Sequence, residues 1–156
     1  STTLIGNDNR FLNCVHVGHD CVVGNGTLIG DNSGLAGHVE LDDDAQIGFM
    51  CAIHQFCILA SGVKILDQSA VVQDVPPFVT AGGNRAVPLG INASSKAFQA
   101  LELEQQDLIH TLYERFYNQA LAIEEVKRSL KILESDFPVI GLYDRFFARS
   151  ARGIVR

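Results

Sequence analysis

Ile29-Gly30-Asp31-Asn32-Ser33-Gly34-Leu35-Ala36-Gly37-His38-Val39-Glu40-Leu41-Asp42-Asp43-Asp44-Ala45-Gln46-Ile47-Gly48 reads in sixes. A large aliphatic residue recurs at Ile29, Leu35, Leu41 and Ile47, and a small or β-branched residue follows each of the first three four positions later, at Ser33, Val39 and Ala45. The frame extends outward through Ile5, Phe11, Val17 and Val23 on one side and Ile53, Leu59, Ile65 and Val71 on the other, which makes twelve apolar residues in twelve places. The small position holds Val15, Cys21, Thr27, Cys51, Cys57, Val63, Ser69 and Val75 as well, and only Asn9 departs from it. Glycine often follows the aliphatic residue (Gly6, Gly18, Gly24, Gly30, Gly48), where it is expected to relieve the backbone at a bend.

A period of six is neither the 3.6 of a helix nor the 2 of an ordinary strand. It suits a short strand plus a tight turn, three of which close a triangular coil of eighteen residues that stacks on the next at about 4.8 Å. Twelve hexads predict about four coils of parallel β-helix over residues 1–80. Pro76-Pro77, Gly82-Gly83-Asn84 and Pro88-Leu89-Gly90 then predict a connector over 81–92. From 93 to 156 the spacing turns helical, with Phe98, Leu101, Leu108, Ile109, Leu112 and Phe116 marking one helix. Val126, Leu130, Leu133 and Phe137 mark a second, stopped by Pro138, and Tyr143, Phe146 and Phe147 a short third.

The whole chain has 156 residues and a formal charge of −6. Residues 1–92 carry Arg10, Lys64 and Arg85 against nine carboxylates, whereas 93–156 carry nine of each sign. An acidic first half argues against nucleic acid as a partner. No apolar run is long enough for a membrane span and Ser1–Asn7 has no signal-peptide character, so a cytoplasmic protein without stable membrane insertion is expected. The four cysteines form no C-x-x-C pair and are expected to be reduced, buried thiols. Arg145, Arg149, Arg152 and Arg156 form an acid-free strip at the C-terminal end.

Hexads 3, 6 and 9 fall on one side of the triangle and carry His19, His38 and His54; His16 ends the preceding hexad at the corner. Steps of eighteen from His19 lead to Gly37, Gln55 and Gln73. Two chemistries fit four imidazoles on one edge. Three of them could hold zinc, drawn from His16, His19 and His38 or His54, and activate water as in a hydratase. Alternatively one imidazole could act as general base on a hydroxyl, with Asp20 fixing its tautomer and the Gly37 N–H stabilising an oxyanion. No G-x-S-x-G signature suggests a covalent acyl-enzyme.

Asn13-Cys14-Val15-His16-Val17-Gly18-His19-Asp20-Cys21, Leu35-Ala36-Gly37-His38-Val39, Ala52-Ile53-His54-Gln55-Phe56-Cys57, Gln73-Asp74-Val75-Pro76-Pro77-Phe78 and Phe146-Phe147-Ala148-Arg149-Ser150-Ala151-Arg152-Gly153 resemble the acyl-[acyl-carrier-protein]:UDP-N-acetylglucosamine O-acyltransferases, which catalyse the first step of lipid A synthesis. The resemblance implies a homotrimer of left-handed parallel β-helices with C-terminal helices, in the cytoplasm of a Gram-negative bacterium. It implies no cofactor, because the 3-hydroxyacyl donor rides on the phosphopantetheine of acyl carrier protein. His19 would be the base toward the sugar 3-hydroxyl, Asp20 its partner and Gly37 the oxyanion donor. His16, His38, His54, Gln55 and Gln73 would line the substrate pocket, and Asn92 would touch the nucleotide. Arg145, Arg149 and Arg152 would dock the acidic carrier protein.

The chain departs from that family in having Arg85 for a histidine, Phe98-Gln99 for an arginine pair and Ser94 for a glutamate. Arg85 is expected to contact a phosphate, with Lys96 as the alternative. Leu66-Asp67 stand where the family measures acyl length, which suggests a shorter or differently placed acyl chain. Family members also carry further N-terminal coils, so a partial form that is weakly active or inactive alone is expected. Acylation of a 3-amino sugar nucleotide, a zinc hydratase and a non-catalytic trimerisation or carrier-binding module are the competing readings.

Overall fold

The computed structural model describes residues 1–119, 121–133 and 137–156. Twelve two-residue strands occupy the predicted frame, each ending on its large aliphatic residue. One sheet stacks β1 (Leu4–Ile5), β4 (Val22–Val23), β7 (Glu40–Leu41) and β10 (Ile58–Leu59). A second runs β2 (Arg10–Phe11), β5 (Leu28–Ile29), β8 (Gln46–Ile47) and β11 (Lys64–Ile65); the third holds β3 (His16–Val17), β6 (Gly34–Leu35), β9 (Ala52–Ile53) and β12 (Ala70–Val71). Every pair is parallel and joins residues eighteen apart, such as Leu4 with Val22 and Val17 with Leu35. The result is the expected left-handed parallel β-helix of about four coils.

The aliphatic column forms the core. Ile29, Leu35, Leu41, Ile47, Leu59, Ile65 and Val71 are 0–1 % exposed, and each full burial contributes about 1.5–3 kcal/mol. Cys21, Cys51 and Cys57 are buried beside them, whereas Cys14 is exposed and corrects the expectation of four buried thiols. It lies at a turn with φ 55° rather than at the inward small position.

The glycines have a different task from the expected one. The left-handed residue of each turn lies two positions beyond the site that glycine often fills, at Asp8, Cys14, Asp20, Asn32, His38, Asp44, Met50, Phe56 and Gln68 among others. Glycine instead admits the next coil: a Cβ at Gly24 would meet the Asp43 carboxylate at 2.4 Å, and one at Gly18 the Gly37 nitrogen at 2.9 Å.

Residues 81–92 are more than a connector. β13 (Val79–Gly82) adds in parallel to β11, and β14 (Val87–Ile91) pairs antiparallel with β13 to form the edge of the second sheet. An edge strand tolerates Pro88, which has no N–H to donate.

The expected first helix is broken. α1 (Lys96–Gln99) and α2 (Leu103–Tyr113) flank Leu101, and α2 continues into a π-helical turn over Glu114–Asn118. Ser95 caps α1, and Gln106 Nε2 donates to the carbonyls of Phe98 and Leu101 in the break. α3 (Ile123–Leu133) and α4 (Ile140–Arg149) follow; Phe137 lies outside both, and the side chain of Leu133 is outside the described set. No helix among the described residues is long and apolar enough to cross a membrane.

Helices and coils share one core, in which Tyr143, Phe146, Ile109 and Leu130 join Phe78 and Val75. Polar anchors fix the docking. Asp44 Oδ2 accepts from Ser95 Oγ at 2.6 Å and from the Ala97 N–H. The fully buried Asp74 accepts from the Ile58 N–H, Ser150 Oγ and the Arg152 N–H at 2.8, 2.7 and 3.2 Å.

Candidate active site

The corner after β3, β6 and β9 gathers the expected catalytic residues. Asp20, His38 and Phe56 occupy the same left-handed position in successive coils, with φ of 57°, 60° and 64°. His19, Gly37 and Gln55 precede them. Asp20 is therefore aimed sideways along the edge, where His19 Nδ1 lies 2.9 Å from its Oδ2 and His38 Nε2 3.8 Å from the same oxygen. The Thr2 N–H and the Ser1 hydroxyl also donate to this carboxylate. The hydrogen bond from His19, then those from Thr2 and Ser1, hold the Asp20 carboxyl below its ordinary pKa. An ionised Asp20 accepts the Nδ1–H of a neutral His19 and leaves Nε2 as the free lone pair.

His38 is set by stacking. Its ring lies 4.6 Å from that of Phe56 at an interplanar angle of 13°, and meets His19 edge-on at 5.1 Å. Phe56 carries no chemistry of its own, but the eighteen-residue step from His38 is the sequence signal that places it there.

Gly37 lies directly under the base. A Cβ built on it would stand 2.6 Å from both Cε1 and Nε2 of His19, so only glycine lets the imidazole rest there. At the other two corners the equivalent turn N–H groups of Asn7, Asn13, Asn25 and Phe49 donate to Asn25, Asp31, Asp43 and Asp67, whereas those of Asp31, Asp43, Ser61 and Asp67 have no protein acceptor among the described residues. At the histidine corner the N–H groups of His19, Gly37 and Gln55 have no protein acceptor among the described residues. The Gly37 donor is thus available to a developing oxyanion beside the imidazole.

The remaining expected residues divide. His16 is the first residue of β3 rather than a corner residue, exposed and opposite Gly34. His54 follows β9 and faces a separate open cleft of about 430 Å³ with Gln73, Arg85 and Arg152. Gln55 is exposed at the histidine corner, one coil beyond Gly37.

Asn92 is 2 % exposed, with Nδ2 donating to the Gly62 carbonyl and Oδ1 accepting from Ser94. Its amide is buried and bonded inward in this chain, which argues against the nucleotide-contact reading. Arg149 forms contacts of 2.6 and 2.7 Å with Glu40 and Asp42, so it is a neutralised tether between α4 and the coils rather than a free docking charge. Arg152 donates from Nε to the Val72 carbonyl beside Gln73, and leaves the strip; Arg145 stays exposed on α4. Leu66 and Asp67 lie at the corner after β11, away from His19 in the same chain, where Asp67 caps the Phe49 N–H. They line an open cleft of about 670 Å³ with Leu12, Leu28, Phe49 and Lys64.

The three-imidazole metal set of the competing hydratase reading is not assembled among the described residues. The only group of three potential ligands among the described residues is His19, Asp20 and His38, with His16 and His54 outside it.

Comparison with known proteins identifies the family. The family described as "Udp N-acetylglucosamine O-acyltransferase; Domain 2" matches residues 74–155, just over half of the chain. The chain belongs to the UDP-N-acetylglucosamine O-acyltransferase family. Its first coils, residues 2–37, also match the bacterial transferase hexapeptide family. The acyl-[acyl-carrier-protein]–UDP-N-acetylglucosamine O-acyltransferase of Aliivibrio salmonicida is 39 % identical over 154 residues, which cover 99 % of this chain and 59 % of that relative. The protein of the same name from a Janthinobacterium species is 40 % identical, covering 99 % and 60 %. The UDP-N-acetylglucosamine acyltransferase structure of Francisella novicida superposes with a TM-score of 0.92 at 30 % identity, covering 97 % of this chain and 56 % of that one. The chain spans about three fifths of the length of these curated relatives.

Proposed function

We propose that this chain transfers a 3-hydroxyacyl group from acyl carrier protein to the 3-hydroxyl of UDP-N-acetylglucosamine, with His19 as general base. The observation that carries the reading is the His19–Asp20 hydrogen bond beside an unpartnered Gly37 N–H. His19 Nε2 takes the proton of the sugar hydroxyl as its oxygen attacks the thioester carbonyl carbon. The carbonyl oxygen becomes negative and accepts from the Gly37 N–H. The C–S bond then breaks, and the leaving thiolate regains a proton from His19 Nε2.

The cleft of His54, Gln73, Arg85 and Arg152 supplies cationic and amide donors suited to the anionic parts of either substrate. The Leu66 cleft offers an apolar wall for the acyl chain, reached from a neighbouring subunit of a homotrimer. Arg145 is exposed on α4 and, unlike Arg149, has no carboxylate partner among the described residues, so it adds steering toward the acidic carrier.

Acyl transfer from a 3-hydroxyacyl carrier protein to radiolabelled UDP-N-acetylglucosamine tests the reading. His19→Ala lowers kcat by about 10²–10⁴-fold with unchanged thermal unfolding, as expected for the loss of a general base. A variant that turns over at the parent rate overturns it.

A further inference from the structure

His19, Asp20 and His38 each offer one ligand atom, and these atoms lie within 4.8 Å of one another. Zinc binds imidazole nitrogen and carboxylate oxygen at about 2.0–2.2 Å, so tetrahedral neighbours around it stand roughly 3.3–3.5 Å apart. The two separations measured to Asp20 Oδ2, 2.9 Å from His19 Nδ1 and 3.8 Å from His38 Nε2, bracket that span. The third separation, between the two imidazole nitrogens, is within 4.8 Å, so side-chain adjustments of about an ångström close the set.

The site is also reachable and partly preorganised. The His19, His38 and Asp20 side chains are 69 %, 41 % and 24 % exposed, and His38 is held by its stack on Phe56. Asp20 and His38 both project from left-handed turn positions of adjacent coils, a backbone placement that does not depend on any ion. The neighbouring groups are few. The Ser1 hydroxyl donates to Asp20 Oδ2 and must turn aside, while the Thr2 N–H donates to Oδ1 and can stay.

We infer that this corner is an inhibitory binding site for a borderline divalent cation of the zinc type, held by His19, Asp20 and His38 with an open fourth position. Its imidazole and carboxylate donors suit zinc far better than magnesium or calcium. Bound metal occupies Asp20, which otherwise orients the base, and takes one nitrogen of His19. If that nitrogen is Nε2 the proton acceptor is gone; if it is Nδ1, the adjacent cation makes Nε2 a poorer acceptor. The inhibitory part rests on the acyltransferase reading, whereas the binding part does not.

The experiment is a titration of the Cys14→Ser chain with Co²⁺ and then Zn²⁺, the substitution removing the exposed thiol as a competing ligand. One Co²⁺ per chain is expected, giving a visible spectrum without sulfur-to-metal charge transfer, and Zn²⁺ displaces it. His38→Asn, with a residue that tolerates the left-handed turn, and Asp20→Asn each weaken binding by at least about tenfold. In the acyl-transfer assay Zn²⁺ inhibits reversibly and a chelator restores the rate. Binding undiminished in both variants, or no binding at millimolar metal, overturns the site. Transfer that proceeds while a metal-saturated site is demonstrated by the cobalt spectrum overturns the inhibitory role. Metal binding with no transfer in any condition would count against the acyltransferase reading and leave the binding site standing.

Discussion

Gly37→Ala separates the position of the base from the stability of the fold. Gly37 is not in the left-handed region, so alanine is compatible with its backbone. The new methyl would stand 2.6 Å from Cε1 and Nε2 of His19, against ordinary contacts of 3.4–4 Å. The clash is with an exposed side chain rather than with backbone, so the imidazole moves by about 1 Å and the coil does not. A displacement of that size at a reacting group costs about 10²-fold in rate. Thermal unfolding should hold steady or rise slightly, because alanine restricts the unfolded chain by about 0.4–1 kcal/mol relative to glycine. The assay is acyl transfer at saturating substrates beside a calorimetric scan. Adding His19→Ala to Gly37→Ala should lower the rate by far less than His19→Ala does alone. A Gly37→Ala protein within about threefold of the parent kcat would refute the reasoning, since a displaced base cannot retain that rate.

Three other perturbations have defined outcomes. The Asp20 carboxyl titrates below the ordinary range, so its contribution to stability is present above the ordinary carboxylate value and is lost as pH falls through the lowered one; carbon NMR should show the midpoint rising in His19→Ala, and an unmoved midpoint would disprove that His19 is the main cause. Asp74→Ala strands the buried Ile58 N–H and frees two C-terminal donors, so urea unfolding should show a loss of about 2–4 kcal/mol with faster proteolysis after Arg149, and an unchanged midpoint would count against the anchor. Iodoacetamide at pH 8 should modify Cys14 alone in the native protein, since Cys57 is buried with its thiol pushed up to about 11; rapid labelling of Cys57 would contradict the packing.

The coils were legible because the constraint is repeated twelve times in a frame that a slip of one residue would invert. What the repeat conceals is why a residue type recurs. Gly24 and Gly48 look like turn residues, yet they make room for carboxylates of the coil below, and the left-handed positions are filled by Met50 and Phe56 as readily as by asparagine. His19, Asp20 and Gly37 could be found since two of them share one column and the third follows directly. Asn92 could not be judged, because nothing local shows that Gly62 and Ser94 would satisfy its amide. Arg149 is similar: Glu40 and Asp42 lie more than a hundred residues away, and only the docked helix brings them together. The hairpin of β13 and β14 was hidden by the glycines and prolines that an edge strand permits.

The unpartnered amides of the histidine corner carry one more implication. They recur on three successive coils, about 4.8 Å apart, like evenly spaced frets. The imidazole resting on glycine does not recur. A carbonyl sliding along this edge would find equivalent donors at each stop but an imidazole resting on a glycine, with an aspartate at its Nδ1, at only one. Where along the edge the reaction occurs is therefore decided by a single side chain and the absence of another beneath it, so relocating the chemistry by one coil would require moving three residues and leaving the scaffold untouched.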